Sequence, residues 1–156
     1  MKIWKKLKTE NIFLDAFLPD KEAALRFVAD ACVQNHVVTD GDSLRKGMRQ
    51  REETLSTGVG GGIAFPHTAS HEAGDVTVML VRPLEPVAFE SLDGLPVDII
   101  LPIVIPEGKT ALHLQILAGV SRLCKNSEFL SAVRQARDSE KLWEVIRMLE
   151  DQMAFH

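Results

Sequence analysis

This sequence predicts an α/β fold in which a mixed, mostly parallel sheet is flanked by helices. Two observations predict it. Apolar runs at residues 76–81 and 97–105 stand in the middle of the chain, and segments with apolar residues at helical spacing stand on both sides of them. At 156 residues the chain fits one domain, residues 1–156. Its 46% hydrophobic and 26% charged residues match an average globular protein, so a core should form without a disulfide or a metal.

The first helix is expected over residues 20–35. Asp20 can cap it, and Ala24, Phe27, Val28, Ala31 and Cys32 recur at three- and four-residue steps. A turn at residues 40–43 leads into a second helix through Leu44, Met48 and Arg51. The glycine-rich run Gly58-Val59-Gly60-Gly61-Gly62 follows, then the apolar triplet Ile63-Ala64-Phe65, read as a strand, and Pro66-His67. Residues 76–81 are β-branched and apolar, with Pro83 to stop them, and residues 87–89 suggest a short edge strand. The run at 97–105 lies between Pro96 and Pro106, as a strand buried on both faces would. Thr110 is expected to cap a helix carrying Leu112, Ile116, Val120 and Leu123. Helices at 127–136 and 139–149 complete the chain, the last capped by Ser139 with Trp143, Ile146 and Leu149 facing inward. Cys32 and Cys124 fall on apolar helix faces and read as buried, reduced thiols.

Several function classes are set aside by composition. The basic opening residues lack the apolar run of a secretion signal. The longest apolar stretch, 97–105, contains Asp98 and Pro102 and is too short to cross a bilayer. The expectation is a cytoplasmic protein with no direct membrane insertion. A net charge of -4, with Lys and Arg spread along the chain, argues against nucleic-acid binding.

His67 is the first candidate for chemistry. A neutral imidazole is a competent nucleophile near pH 7, and the position after a strand and Pro66 suggests the rim of an α/β sheet. The bland alternative is a loop histidine with no role. The glycine run permits positive φ and lets N–H groups approach an anion, yet it fits neither a P-loop nor a dinucleotide fingerprint. His113 falls in the first turn of its helix, whose unpaired N–H groups favour a nearby negative charge. Arg51 has a donor fork suited to a phosphoryl group, though a solvated charge at a helix end is its ordinary fate. The four-residue spacing of His67 and His71 suggests a metal site only on a helix, and no further ligands accompany it. Without a G-x-S-x-G elbow, Ser70 and Thr68 are poor nucleophile candidates.

Taken together, the segment from Arg51 to His67, with Thr57-Gly58-Val59-Gly60-Gly61-Gly62-Ile63-Ala64-Phe65-Pro66-His67 at its end, resembles a known signature. It is the active-site signature of the type-2 enzyme IIA domains of the bacterial phosphoenolpyruvate:sugar phosphotransferase system, in its mannitol/fructose class. The nitrogen-regulatory IIA proteins share it. The resemblance continues through Pro96-Val97-Asp98-Ile99-Ile100 and His113-Leu114-Gln115-Ile116-Leu117-Ala118. It implies a three-layer sandwich, with His67 as the phosphorylated residue, His113 as its hydrogen-bonding partner and Arg51 as the neutralising arginine. Thr57, Gly58, Gly60, Gly61, Gly62 and Thr68 would line the phosphate. No cofactor or metal is implied. The implied partners are the carrier HPr or its nitrogen-branch counterpart, a IIB protein with a cysteine nucleophile, and regulatory targets in the nitrogen branch. Two positions depart from the pattern: Phe65 stands where smaller aliphatics are common, and Thr68 replaces a glycine. The assignment expects the His67 ring to be open to solvent, with Arg51 and the helix start at Thr110 in reach.

Overall fold

The computed structural model describes residues 1–153 and arranges them about a seven-stranded sheet. A 3-10 turn at Ile3–Lys5 leads into strand β1, Leu7–Ala16, and then into helices α1, Lys21–Gln34, and α2, Gly41–Thr54. Strands β2, Gly58–Gly60, and β3, Ile63–Ala64, form a hairpin. They are followed by β4, His67–Ser70, β5, Thr77–Pro83, β6, Ile99–Ile100, and β7, Ile103–Pro106. Helices α3, Thr110–Cys124, α4, Ser127–Gln135, and α5, Ser139–Met153, close the described chain.

Alternation along β5 shows why the molecule has three layers. Val78 and Leu80 pack with Ile116, Val120, Phe129, Val133 and Ile146 of the last three helices. Met79 packs on the opposite face with Leu25, Val28, Cys32, Leu44 and Met48 of α1 and α2. Residues 78–81 are wholly buried, so the strand is covered on both sides. Burying each such side chain contributes about 1.5–3 kcal/mol. Cys32 sits in the second of these cores, where burial pushes its thiol up to about 12. Cys124 is half-buried, and burial likewise pushes it up to about 12.

The sheet is mixed. β1 runs parallel to β5, β3 to β6 and β4 to β7, whereas β5 is antiparallel to β6 and β7. Parallel positions outnumber antiparallel ones. The same register carries Ile63 opposite Ile99 and His67 opposite Ile103, so β3 and β4 are one strand interrupted at Phe65–Pro66. β6 and β7 are interrupted alongside it at Leu101–Pro102. The two prolines fall opposite each other, and neither has an N–H to give to a ladder.

Several expectations need correction. β1 has no counterpart among the expected strands, because Leu7 is followed by polar Lys8, Thr9, Glu10 and Asn11. A register shift between Leu7 and Ile12 also breaks the alternation that marks a strand. The strand at 97–105 is two strands, for the proline reason just given, and 87–89 contributes only a bridge between Val87 and Val97. Asp20 caps α1 as expected, accepting the Ala23 N–H at 2.8 Å. Thr110 is instead the first residue of α3, after Lys109, which makes no side-chain cap. Asp138, not Ser139, accepts the Lys141 N–H at 2.9 Å and caps α5.

One close approach sets the distance between α2 and the sheet. A Cβ added to Gly47 of α2 would stand 2.6 Å from the Thr68 hydroxyl oxygen on β4. Gly47 therefore lets α2 lie directly on the strand that begins at His67, one helical turn before Arg51. Gly47→Ala should destabilise the protein by about 1–3 kcal/mol through overpacking. Gly47→Ala/Thr68→Ala should recover most of that loss in urea unfolding, whereas additive losses would show that the contact does not matter.

Candidate functional site

β4 ends the strand order of the sheet, with β7 as its neighbour. Side chains from the helical layers on both faces can therefore meet around this strand. Arg51 comes from the last turn of α2, which packs on one face. His113 comes from the first turn of α3, which packs on the other. Both converge on His67. The Arg51 Nε–H donates to His67 Nε2 at 3.3 Å, and the His113 ring lies 5.6 Å from the His67 ring at 83°. Phe65 stacks on the imidazole at 6.1 Å.

The partners of the two ring nitrogens determine the tautomer. His67 Nδ1 lies 3.0 Å from the Phe65 carbonyl oxygen, which can only accept. Nδ1 therefore carries the proton. The guanidinium Nε–H can only donate, so Nε2 presents a lone pair to Arg51. The neutral ring is thus held with its basic nitrogen toward the arginine.

The Phe65 carbonyl is free for this bond because a sheet rung is left half-made. The hairpin register brings Thr57 opposite Phe65, and an antiparallel pair there would exchange two hydrogen bonds. Only one is made, from the Phe65 N–H to the Thr57 carbonyl at 3.2 Å. The Thr57 N–H turns instead to the Glu52 carboxylate at 3.1 and 3.2 Å, and the Phe65 oxygen takes the imidazole.

The ring is not open to solvent, contrary to expectation. His67 is only 4% exposed, and it opens a paired strand rather than lying in a loop. Burial holds its pKa below the ordinary value. The Phe65 hydrogen bond and the Glu52 charge oppose that shift, and the Arg51 and His113 charges reinforce it. What covers Nε2 is a side chain, Arg51, whose other bond is donated to the Leu55 carbonyl at 3.3 Å. Among the described residues it makes no salt bridge that would hold it there.

The remaining candidates divide. Thr68 is half-buried against Gly47, next to His67 in the strand. Thr57 is buried, and both its N–H and its hydroxyl donate to Glu52. Gly60, Gly61 and Gly62 take φ of 97°, 68° and 81° and turn the hairpin. The Gly61 N–H donates to the Asp93 carboxylate at 2.9 Å and the Gly58 N–H to the Ser56 hydroxyl at 3.0 Å. Those two amides are already used within the chain, and the run makes the chain reversal. His71 is exposed beyond β4, and no cluster of three or more metal-type ligands occurs among the described residues.

Sequence reasoning missed Glu52. It is 7% exposed and pairs with Lys21 Nζ at 2.7 Å. A signal was available: Leu44, Met48 and Glu52 recur every four residues, which puts the carboxylate on the buried face of α2.

Comparison with known proteins identifies the family and the fold. Residues 5–148 match the family described as phosphoenolpyruvate-dependent sugar phosphotransferase system, EIIA 2. A nitrogen regulatory protein of Bradyrhizobium diazoefficiens is 34% identical over 99 residues, which span 64% of this chain and 65% of that one. A fructose-specific EIIA component from Haloferax volcanii is 29% identical over 137 residues, 88% of this chain and 89% of that one. A multiphosphoryl transfer protein of Escherichia coli is 28% identical over 149 residues, 96% of this chain but 17% of its own length. The chain thus spans less than two thirds of the length of the first and third of these relatives. Nitrogen regulatory protein IIA-Ntr from Neisseria meningitidis superposes with a TM-score of 0.85 at 24% identity, covering 92% of this chain and 98% of that one. IIA mannitol from Escherichia coli superposes at 0.76 with 23% identity, covering 90% and 99%. Those two structures establish the three-layer fold.

The His67 titration can be checked directly. Its NMR midpoint should lie below the ordinary value of about 6.5, and Arg51→Gln should raise it by removing a positive charge. The folded form then binds fewer protons than the unfolded chain, so stability should fall as the pH drops through 6.5 toward the folded midpoint. A midpoint above 6.5 would contradict the burial described here.

Proposed function

Because the chain belongs to the phosphoenolpyruvate-dependent sugar phosphotransferase system EIIA 2 family, we propose that it is a phosphocarrier whose His67 receives a phosphoryl group and passes it on. The observation that carries this reading is the neutral His67 ring, with Nδ1–H tied to the Phe65 carbonyl and the Nε2 lone pair facing Arg51. On this reading the chain is one domain of that family.

In the first step the Nε2 lone pair attacks phosphorus on the phosphohistidine of an HPr-type donor. The new N–P bond forms as the donor's N–P bond breaks, and the electron pair leaves with the donor imidazole. Arg51 must first release Nε2, and the approaching anionic group gives its guanidinium a better partner than the ring. The Nδ1 proton stays on the ring, hydrogen-bonded to the Phe65 carbonyl throughout. His113 can donate a hydrogen bond to the phosphoryl oxygens from the first turn of α3, where unpaired N–H groups favour negative charge. The rate gain comes from positioning and charge stabilisation, as in other phosphoryl transfers. In the second step a IIB cysteine thiolate attacks phosphorus and His67 leaves with its lone pair restored. A solved complex of enzyme IIA and phosphorylated enzyme IIB of Escherichia coli shares this fold, with a TM-score of 0.74 at 21% identity. That likeness supports the choice of partner class.

A second reading is favoured by the 34% identity to a nitrogen regulatory protein. Here the same phosphorylation would control docking to regulatory targets, without sugar transport. Transfer assays separate the two. Delivery of the phosphoryl group to a IIB cysteine supports the transport reading, and acceptance from a nitrogen-branch carrier with no onward transfer supports the regulatory one.

Incubation with phosphoenolpyruvate, enzyme I and a carrier, followed by mass analysis of peptides, should place an acid-labile phosphoryl group on His67. His67→Ala should carry no label. His113→Ala should still accept it, more slowly by a factor on the order of 100–1,000, as for loss of one stabilising donor. A label retained in His67→Ala would remove the assignment.

A further inference from the structure

We propose that Glu52 is a positioning residue for His67, acting through the half-made rung between Thr57 and Phe65. Its carboxylate is buried, and it accepts the Thr57 N–H at 3.1 and 3.2 Å as well as the Thr57 hydroxyl. Lys21 Nζ, from the start of α1, lies 2.7 Å from the other side of the same carboxylate and also donates to the Phe89 carbonyl at 3.3 Å. Helix α1, helix α2 and the hairpin are thereby joined at one acidic side chain.

The consequence for the imidazole comes from hydrogen-bond accounting. A Thr57 N–H released from Glu52 has a ready acceptor in the ladder, the Phe65 carbonyl. That oxygen is the one that holds the Nδ1–H of His67. With the anchor shared or lost, the ring can place its proton on Nε2. A ring protonated there has no lone pair at Nε2, and its N–H would face the Arg51 Nε–H, donor against donor. Glu52 therefore holds the Nε2 lone pair in place without touching the ring. It does so by keeping one backbone N–H out of the sheet.

Two substitutions separate this role from that of a plain ion pair. Glu52→Gln removes the charge but leaves an oxygen at the same reach from Thr57. Glu52→Asp keeps the charge for Lys21 but draws the carboxylate back by one methylene, away from the Thr57 N–H. Positioning predicts that Asp is the more damaging change. Long-range 1H–15N spectra of the wild type should show His67 protonated at Nδ1 and bare at Nε2. Glu52→Asp should show a mixture of tautomers, and Glu52→Gln should stay closer to the wild type.

The effect on rate rests on the phosphocarrier reading above. Phosphoryl acceptance should fall by about 10- to 100-fold in Glu52→Asp, as for partners that orient a metal-bound histidine from behind. That is below the roughly 10⁴-fold loss when the carboxylate touching a reacting imidazole is replaced, and Glu52→Gln should lose less. If Gln proves as damaging as Asp or more so, the carboxylate acts through its charge and the proposal fails. It fails equally if the wild-type ring carries its proton at Nε2, whatever the variants do. A wild-type protein that shows the Nδ1–H tautomer but accepts no phosphoryl group would overturn the carrier reading alone.

Discussion

Everything distinctive about this molecule depends on one hydrogen bond, from His67 Nδ1–H to the carbonyl of the residue two places before it. In a regular sheet that carbonyl would be taken by the neighbouring strand. Here the hairpin opens at the rung between Thr57 and Phe65, and Pro66 interrupts the strand directly afterwards. The fold thus gives up ladder bonds at one place and uses the released carbonyl to hold an imidazole. Each such bond contributes only about 1 kcal/mol to stability, so the loss is small beside the buried core around it. The gain is a ring with one tautomer and one orientation.

Around that ring the charges have an orderly logic. A guanidinium beside a buried imidazole keeps it unprotonated and so preserves the lone pair. Under the proposed phosphorylation, the same guanidinium would favour the dianionic group on the nitrogen. Burial strengthens both effects, since charge interactions are larger where water is excluded. The arginine and the second histidine come from opposite faces of the sheet, and they can meet only because β4 lies at its end. Glu52 brings the opposite charge into the same region, yet it is held away from the ring by Thr57 and Lys21.

Much of the frame was readable along the chain. The five helices, the central buried strand and the apolar triplet before His67 all showed in the spacing of apolar residues. Asp20 announced its helix correctly. The failures share a physical cause. β1 carries Lys8, Thr9, Glu10 and Asn11 on a strand whose register shifts part-way along, so no period of two survives in its sequence. Its anchoring is long-range: the Trp143 ring N–H donates to the Leu7 carbonyl at 2.6 Å, and Glu150 holds the preceding 3-10 turn by accepting the Ile3 and Trp4 N–H groups at 2.8 and 2.6 Å. Composition records that the glycine run can turn, but not that the Gly61 amide will meet the Asp93 carboxylate.

By itself the sequence determined the α/β class, and its motifs carried the resemblance to the family and the nomination of Arg51, His67 and His113, because apolar periodicity and short motifs are local properties of a chain. Tertiary structure alone decided that the ring is buried, which nitrogen bears the proton, and that Glu52 belongs to the site. Those facts depend on which N–H reaches which oxygen across strands and helices far apart in sequence, and a residue's identity does not record the partner it will find.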